Sequence, residues 1–324
     1  MIAPILDVRN IKKHFPVGSQ TWLGSKQRVY AVDGVSFSIA RGETLSLVGE
    51  SGCGKSTVGK AILRLFDLTD GEIYLDGQRI DQMPASSLRP LRKNMQVIFQ
   101  DPYSSLNPRL RVSDIVAEPL VCFGVVSGRK DLDREVASLL EKVGLPRESA
   151  ERWPHEFSGG QRQRICIARA LAAKPELIVC DEAVSALDVS VKAQIINLLA
   201  DLQRDLGLAL LFISHDLAIV EHMTHRVAVM YLGRVVEIGT RDEIFHAPHH
   251  PYTQALLSAV PVPDVSERRQ RIQLKGEVPS PVNPPSGCHF HTRCAHATER
   301  CALETPVFRD LSLSHRAACH LLDG

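Results

Sequence analysis

The stretch "GESGCGKST" decides the fold of this chain, and it comprises Gly49, Glu50, Ser51, Gly52, Cys53, Gly54, Lys55, Ser56 and Thr57. It lies between a short apolar strand pattern, "TLSLV", and a helical pattern, "STVGKAILRLF". Glycines in this spacing let backbone N–H groups wrap around a chain of phosphates, and the helix N-terminus adds a partial positive charge. We expect Lys55 to bridge the β- and γ-phosphates and the Ser56 hydroxyl to bind Mg²⁺. The motif alone predicts only that the chain binds a nucleoside triphosphate.

Four polar residues stand at the ends of other strand patterns. The pattern "LIVCD" ends at Asp181 and is followed by Glu182, "LLFISH" ends at His215, and "MQVIFQ" ends at Gln100. Ligands in open α/β folds bind at the carboxyl ends of the strands. We therefore expect Asp181 to hold Mg²⁺ and Glu182 to act as general base on the attacking water. His215 is expected to contact the γ-phosphate, and Gln100 to reach the metal and the water if its strand neighbours the other two.

A second glycine pair opens a helix about a hundred residues later, in "FSGGQRQRICIARAL". The helix begins with Ser158, Gly159, Gly160 and Gln161. A serine, two bare backbone amides and a helix dipole form an anion site, although the same residues also suit an ordinary capped helix. Because the phosphate loop already surrounds the phosphates on one side, we interpret this second site as serving a nucleotide on another subunit. Two subunits arranged head to tail would then each complete the site of the other.

The order of the patterns predicts the fold class. Near-continuous apolar strands alternate with amphipathic helices, which is typical of a parallel sheet covered on both faces. We predict an α/β P-loop NTPase fold with a mixed sheet core, an antiparallel β subdomain and an inserted helical subdomain at about residues 101–160. From residue 249 the sequence becomes rich in proline and cysteine, so we predict a nucleotide-binding domain at 1–248 and a small extension at 249–324.

Composition limits the kinds of partner that the chain can bind and indicates where in the cell it lies. The formal net charge of the 324-residue chain is +1, so the chain as a whole has no strong positive potential that would attract nucleic acid. The longest apolar runs, such as "LALLFI", are far shorter than the roughly 20 residues that span a bilayer. The first residues show neither a basic leader nor a secretory apolar stretch. We expect a cytosolic chain that meets a membrane only through its partners.

Taken together, four motifs resemble those of the ATP-binding subunits of ATP-binding-cassette (ABC) transporters. They are "GESGCGKST", "FSGGQRQR", "LIVCDEAVSALD" and "ISHD", and the resemblance covers about Phe15 to His215. It implies an ABC ATPase in which Gln100 couples the metal to a membrane partner and Asp188 lies in a loop that contacts the opposite subunit. It also implies an aromatic side chain stacked on adenine, with Phe15 as first choice and Tyr30 as second.

Further stretches resemble the oligopeptide/dipeptide permease group. They are "FQDPYSSLNPR", "PHEFSGGQRQR" and "HPYTQALLSAVPVPD", and the insertion "FPVGSQTWLGSKQRVYAVDGV" resembles the second, F-type ATPase of that group. The resemblance implies ATP-driven import of di- or oligopeptides from the cytoplasmic face of the membrane. The implied partners are a second ATPase subunit, two transmembrane permease subunits and an extracytoplasmic peptide-binding protein, with no nucleic acid. Nickel and glutathione importers share the C-terminal tail, so the cargo stays open.

Two other classes of function fit the sequence less well. A non-transport ABC ATPase usually carries two cassettes or a long coiled coil, and the sequence shows neither. An interaction module with a vestigial ATPase site is disfavoured because Lys55, Asp181, Glu182 and His215 are all present.

The cysteines raise two further hypotheses. Cys288, Cys294, Cys301 and Cys319 lack the C-x-x-C pairs of common zinc modules. Four thiolates suit a [4Fe–4S] cluster, which the resemblance also implies, while nearby histidines keep Zn²⁺ open and free thiols are a third alternative. Cys53 lies in the phosphate loop beside a helix N-terminus, a setting that lowers a thiol pKa. We expect a thiol reagent to block ATP binding there, unless Cys53 is simply a small residue between glycines.

Overall fold

The computed structural model describes residues 3–17, 27–260 and 272–323 of the chain. Two of the quoted stretches extend outside these residues, namely the F-type insertion at 18–26 and the end of "HPYTQALLSAVPVPD" at 261–264. The chain divides into two compact units. Unit 1 comprises Met1–Leu6, Ile39–Glu43 and Leu75–Ile213, and unit 2 comprises Asp7–Ser38, Thr44–Tyr74 and Ser214–Gly324.

The described residues form strands and helices in alternation along most of the chain. The strands are β1 (Leu6–Pro16), β2 (Arg28–Ile39), β3 (Thr44–Val48), β4 (Asp70–Leu75), β5 (Gln78–Arg79), β6 (Met95–Ile98), β7 (Leu177–Asp181), β8 (Ala209–Ser214), β9 (Arg226–Tyr231), β10 (Arg234–Thr240), β11 (Arg309–Asp310) and β12 (Arg316–Ala317). The helices are α1 (Lys55–Ile62), α2 (Ala85–Leu91), α3 (Pro102–Ser105), α4 (Val112–Cys122), α5 (Arg129–Lys142), α6 (Gly159–Ala172), α7 (Val189–Leu206), α8 (Leu217–Met223), α9 (Arg241–His246), α10 (Pro251–Ser258) and α11 (Glu299–Leu303).

Unit 1 is built on parallel strands in the order β8-β7-β6. Every residue of β7 and β8 is buried, which agrees with their unbroken apolar sequences and confirms the predicted parallel pairing. Helix α6 packs against β6 and α7, and helices α4 and α5 pack against α6. The core of unit 1 therefore lies between this sheet and α6.

Unit 2 contains a mixed sheet, as predicted. Strand β3 pairs with β9 in parallel, while β9 and β10 are antiparallel and are joined by Leu232 and Gly233, both at positive φ. The C-terminal strand β12 pairs antiparallel with β10, and β11 pairs with β12. The tail therefore adds strands to the same sheet that carries the phosphate loop after β3.

A second sheet in unit 2 has the order β2-β1-β4. A hydrogen bond from Val17 N–H to Gln27 C=O and another from Ile5 N–H to Ile39 C=O flank β1 and β2. Since the residue number rises on one strand as it falls on the other, the two strands are antiparallel, as the sequence predicted.

Within the part of the chain that the structure describes, no helix is both long and apolar enough to cross a bilayer.

Candidate nucleotide site

The phosphate loop has a backbone path that only glycine permits at two positions. Gly49 has φ +150° and Gly54 has φ +107°. A Cβ on Gly49 would lie 2.1 Å from the Met230 carbonyl oxygen, and one on Gly54 would lie 2.0 Å from the Ala31 carbonyl oxygen. The loop therefore packs backbone against backbone, and α1 begins directly after it at Lys55.

The side chain of Lys55 lies inside this loop and is only 4% exposed. Its Nζ donates hydrogen bonds to the carbonyl oxygens of Gly49 at 2.8 Å and Glu50 at 2.9 Å. The ammonium group is thus held against the carbonyls of its own loop. An ammonium group on a flexible stem can exchange such carbonyls for phosphate oxygens.

Two residues distant in sequence also bind the loop, and sequence reasoning missed both. The Tyr252 hydroxyl accepts a hydrogen bond from Glu50 N–H at 2.9 Å, and the Arg293 guanidinium forms two hydrogen bonds with the Glu50 carboxylate. Neither contact has a local sequence signal, because no periodicity links positions so far apart.

The structure contradicts the expected lowering of the Cys53 pKa, while the effect of a thiol reagent on ATP binding stays a prediction. The thiol is buried, with 3% exposure, and burial raises its pKa above the ordinary value. The Lys55 ammonium, 3.8 Å from Sγ, acts in the opposite direction but does not outweigh burial. The prediction of a lowered thiol pKa is therefore wrong.

In unit 1 the predicted carboxylates lie at the carboxyl edge of the parallel strands. Asp181 is the last residue of β7 and is 8% exposed, and Glu182 follows at φ +49°. The Glu182 N–H donates to the Ile213 carbonyl at 3.0 Å, and its own carbonyl accepts from both N–H and Oγ of Ser185. These bonds hold a non-glycine residue in the left-handed region, where such residues are uncommon and worth functional attention.

Gln100 lies at the same edge as Asp181. Strand β6 pairs with β7 so that Ile98 is opposite Cys180, but β7 separates it from β8, so the strand before Gln100 neighbours only one of the two strands. The strand ends at Ile98, however, so the exposed Gln100 lies two residues beyond it and does not end it as predicted. His215 directly follows β8, is exposed, and belongs to unit 2.

The second glycine pair begins α6 as predicted. Ser158 and Gln161 form a capping box, in which the Ser158 hydroxyl accepts from Gln161 N–H at 3.4 Å and Gln161 Oε1 accepts from Ser158 N–H at 3.0 Å. A Cβ on Gly160 would lie 2.4 Å from Val191 Cγ1, so close packing against α7 requires this glycine. A Cβ on Gly159 would meet only ordinary contacts at 3.6 Å, with Leu187 and Tyr103, so its missing side chain is not explained within the chain.

Helix α6 also holds the segment that follows Gln100. The Arg162 guanidinium lies 4.1 Å above the Tyr103 ring, and Arg169 Nη1 donates to the Ser105 carbonyl at 2.6 Å. Asp188 precedes α7, is exposed, and makes no capping hydrogen bond to that helix through its side chain.

The two candidates for adenine stacking lie in unit 2 with the phosphate loop. The Phe15 ring meets Phe66 edge-on at 5.5 Å, with Lys13 Nζ 5.0 Å from the Phe15 centroid. Tyr30 packs against His14 at 4.4 Å. Both aromatic rings are partly exposed, and the choice between them stays a prediction.

Burial raises the pKa of Cys319, one of the four tail cysteines, to about 11, and charge on Cys288, Cys294 and Cys301 acts in the same direction. Cys288 N–H also donates to the Cys301 carbonyl at 2.8 Å. Among residues 3–17, 27–260 and 272–323, however, no group of three or more His, Cys, Asp or Glu side chains is arranged to hold a metal ion. The side chains as placed do not fit an iron–sulfur cluster or Zn²⁺.

The fold and the site define a class of protein. A glycine loop between a buried strand and a helix, an Asp-Glu pair ending a parallel strand, and a Ser-Gly-Gly-Gln helix start are the parts of an ATP-binding cassette. The family model described as "ABC transporter" matches residues 32–185, and that of the "Oligopeptide/dipeptide transporter, C-terminal region" matches residues 236–301.

Curated relatives match nearly the whole chain. The oligopeptide transport ATP-binding protein AppF of Bacillus subtilis is 52% identical over 98% of this chain and 97% of its own length. OppF of Salmonella typhimurium is 51% identical over 98% and 96%. The chain therefore belongs to the family of oligopeptide transport ATP-binding proteins of ABC transporters. ATP hydrolysis, predicted from the motifs, is confirmed as its class of activity.

Solved structures agree on the fold. The ATP-binding cassette MJ0796, in a dimeric post-hydrolysis state bound to ADP and Pi, is 28% identical, with a TM-score of 0.65 over 73% of this chain and 98% of its own. CbiO1 of Clostridium perfringens, part of the ABC transporter complex cbiONQ, is 27% identical, with a TM-score of 0.65 over 75% and 91%.

Proposed function

We propose that this chain is the ATPase subunit that energises import of di- or oligopeptides across the cytoplasmic membrane. The observation that carries the proposal is the presence in one chain of the cassette motifs and of a C-terminal region matching the oligopeptide/dipeptide transporter family. Both relatives are named as oligopeptide transport ATP-binding proteins, which supports the same cargo. Nickel and glutathione are the alternative cargoes.

The catalytic roles follow from the chemistry of the side chains. Glu182 takes a proton from the attacking water at its carboxylate, and His215 donates a hydrogen bond to the γ-phosphate. Lys55 neutralises charge on the β- and γ-phosphates, while the loop from Gly49 to Thr57 supplies backbone N–H groups. Ser56, Gln100 and Asp181 offer the hard oxygen ligands that Mg²⁺ prefers, and they would hold the ion that neutralises the developing phosphate charge.

We propose that Ser158, Gly159, Gly160, Gln161 and Asp188 act on a second ATPase subunit and its ATP. Ser158 and Asp188 are exposed, and a Cβ on Gly159 would meet its own chain only at ordinary contact distances of 3.6 Å. The solved relative MJ0796 is dimeric with ADP and Pi, which supports a paired arrangement. For this chain the partner is a related ATPase, forming a heterodimer.

The remaining partners are two transmembrane permease subunits and, through them, an extracytoplasmic peptide-binding protein. The chain then lies at the cytoplasmic face of the membrane as a peripheral subunit. We retain residues 1–248 as the nucleotide-binding domain, with a helical subdomain at about 101–160, and 249–324 as the extension.

The tail thiols carry a separate proposal. A [4Fe–4S] cluster on Cys288, Cys294, Cys301 and Cys319, or Zn²⁺ in its place, is supported by the family resemblance of this four-cysteine tail, and the thiols would have to move from their present positions to bind it. Anaerobic purification followed by iron and zinc analysis and visible spectroscopy tests it. Protein with iron and charge-transfer absorbance supports the cluster, zinc alone supports the alternative, and protein without either metal refutes both.

The main experiment replaces the proposed general base, Glu182→Gln, in the assembled transporter. We expect ATP to bind and the two ATPase subunits to stay paired, while turnover falls by about 10²- to 10⁴-fold. The exposed Glu221→Gln is the matched control and should hydrolyse ATP normally. Normal turnover by Glu182→Gln would refute the assignment.

The cargo is tested separately by growth. A strain lacking the gene should fail on defined di- or oligopeptides as sole source and grow when the gene is restored. Growth defects confined to nickel or glutathione supply would favour those cargoes over peptides.

A further inference from the structure

Glu50, the second residue of the phosphate loop, is held at all of its polar groups. Its N–H donates to the Tyr252 hydroxyl at 2.9 Å, and its carbonyl accepts from Lys55 Nζ at 2.9 Å. Its carboxylate accepts from Arg293 twice, with Nη1 2.6 Å from Oε2 and Nη2 3.1 Å from Oε1. Cys53 N–H also donates to the Glu50 carbonyl at 3.3 Å, so two of the four partners, Tyr252 and Arg293, belong to the C-terminal part of the chain.

The Arg293–Glu50 pair is geometrically specific. The Arg293 side chain is 7% exposed and that of Glu50 is 28% exposed. A planar guanidinium that bonds both oxygens of a carboxylate fixes the direction of that carboxylate as well as its distance. Because little solvent reaches the pair, loss of either member would leave an unpaired charge in a partly buried place.

Arg293 is itself held on a rigid base. Its N–H donates to the Phe290 carbonyl at 3.0 Å, and its guanidinium lies 5.9 Å from the Tyr231 ring centroid. Tyr231, Tyr252 and Phe290 are fully buried, and their ring centroids lie between 4.7 and 5.3 Å apart. The arginine and the tyrosine that bind Glu50 are therefore parts of one aromatic cluster.

The tail also contacts the turn between β9 and β10, and that turn is hydrogen-bonded to the phosphate loop at Cys53. His289 Nδ1 lies 3.2 Å from the Leu232 carbonyl in the turn between β9 and β10. In that turn Gly233 N–H donates to the Cys53 carbonyl at 2.9 Å. The loop is thus fixed at Glu50 and at Cys53 by elements that the tail contacts.

We propose that Arg293 is a positioning residue for ATP, because through Glu50 it sets the path of the phosphate loop. The backbone N–H groups of this loop bind the phosphates, and a displacement of about 1 Å in such a site can cost about 10²-fold. The C-terminal segment is then a structural part of the ATP site in addition to any docking role. The inference rests on ATP binding at this loop, as proposed above.

The experiment compares equilibrium ATP binding by the full-length chain with steady-state hydrolysis by the assembled transporter. For Arg293→Met we expect the Kd and KM for ATP to rise by about tenfold or more while kcat changes by less than about threefold. Arg293→Lys keeps the charge but not the paired geometry, so it should recover part of the affinity. Glu50→Gln, which is nearly isosteric, should show the same rise in KM even if Arg293→Met folds poorly.

A double variant separates positioning from general stability. Glu50→Gln/Arg293→Met leaves no unpaired charge, so its loss of affinity should be smaller than the product of the two single losses. Arg309→Met is the matched control, because it removes the ion pair of the exposed Arg309 with Asp323 in the same tail and should leave ATP affinity unchanged.

Two outcomes contradict the inference. ATP affinity within about twofold of wild type in Arg293→Met and Glu50→Gln, with a lowered melting temperature, would make the pair purely structural. Losses that multiply in the double variant would show that the two residues do not act through each other. Lys55→Ala tests the underlying site, since unchanged ATP binding in that variant would refute the proposed function of the loop itself.

Discussion

The chain contains two helix starts that are rich in glycine, and they are built in opposite ways. In the phosphate loop, Gly49 and Gly54 approach backbone carbonyls of the same chain, and Lys55 and Glu50 are bonded within it. At the start of α6, Ser158 is exposed and Gly159 has only ordinary neighbours. The phosphate loop is thus packed within its own chain, whereas the start of α6 is capped as a helix end and its Ser158 is exposed. Glycine thus allows close backbone packing in the phosphate loop, whereas at the start of α6 Gly159 is not required by close packing.

The comparison predicts the largest effect at Gly54. A methyl group there would lie 2.0 Å from the Ala31 carbonyl oxygen and 2.9 Å from Met230 Cε, at a φ of +107°. We expect Gly54→Ala to lower ATP affinity by about 100-fold or more, because the loop must shift. Equilibrium binding and thermal unfolding measure the effect.

Gly52→Ala is the control for backbone strain alone. Gly52 also has a positive φ, of +80°, but among the described residues no atom lies within 4 Å of its Cβ position. Its destabilisation should be confined to the dihedral cost of about 1–3 kcal/mol. Equal loss of stability in both variants would break the argument that close backbone packing sets the loop path.

The second effect concerns Gly160, which at the start of α6 has no room for a Cβ, as Gly49 and Gly54 have none in the phosphate loop. Gly160→Ala places a methyl group 2.4 Å from Val191 Cγ1, and we expect a loss of about 1–3 kcal/mol in the free energy of unfolding. Gly160→Ala/Val191→Ala should recover most of that loss in chemical denaturation. If the double variant is no more stable than the single one, the contact with Val191 is not the cause.

The third effect is kinetic and concerns Cys53. Since the thiolate is the reactive form and burial raises the pKa of this thiol, we expect labelling at pH 7 to be about tenfold slower than at the exposed Cys122. The rate should increase as the pH rises toward the raised pKa. Cys166 in α6, whose pKa burial raises to about 11, should be slow as well. Peptide mass spectrometry over time measures all three, and equal rates at Cys53 and Cys122 would refute the expectation.

The smallest effect on the isolated chain is expected at Gly159. A Cβ there meets Leu187 and Tyr103 at an ordinary 3.6 Å, so Gly159→Ala should change the free energy of unfolding by less than about 0.5 kcal/mol. ATP binding by the isolated chain should also be unchanged. If this helix start contacts the second subunit as proposed, turnover of the assembled transporter should nevertheless fall, because the added methyl group would intrude on that contact. Unchanged turnover would show that this helix start serves no other subunit.

The sequence predicted those features that depend on neighbouring residues. The end of β7 at Asp181, the start of α6 after Ser158 and the helix after the phosphate loop are all set by local apolar patterns, caps and glycines. The end of β6 was predicted at Gln100, two residues too late, because the apolar Phe99 follows the last paired residue, Ile98.

The sequence did not predict what distant segments impose on the site. Burial of Cys53 depends on how other elements cover it, so helix position alone gave the wrong direction for its pKa. The contacts of Tyr252 and Arg293 with Glu50 join stretches with no shared periodicity. The grouping of the tail thiols depends in the same way on tertiary contacts.

The pairing of Glu50 with Arg293, 243 positions apart, has a consequence for how this family can change. Recombination could replace the C-terminal segment with one that has no cationic side chain at the position of Arg293. The Glu50 carboxylate would then lose its counterion. The two positions are therefore expected to mutate together during evolution, and a chimaera made by tail exchange would need both residues from the same parent.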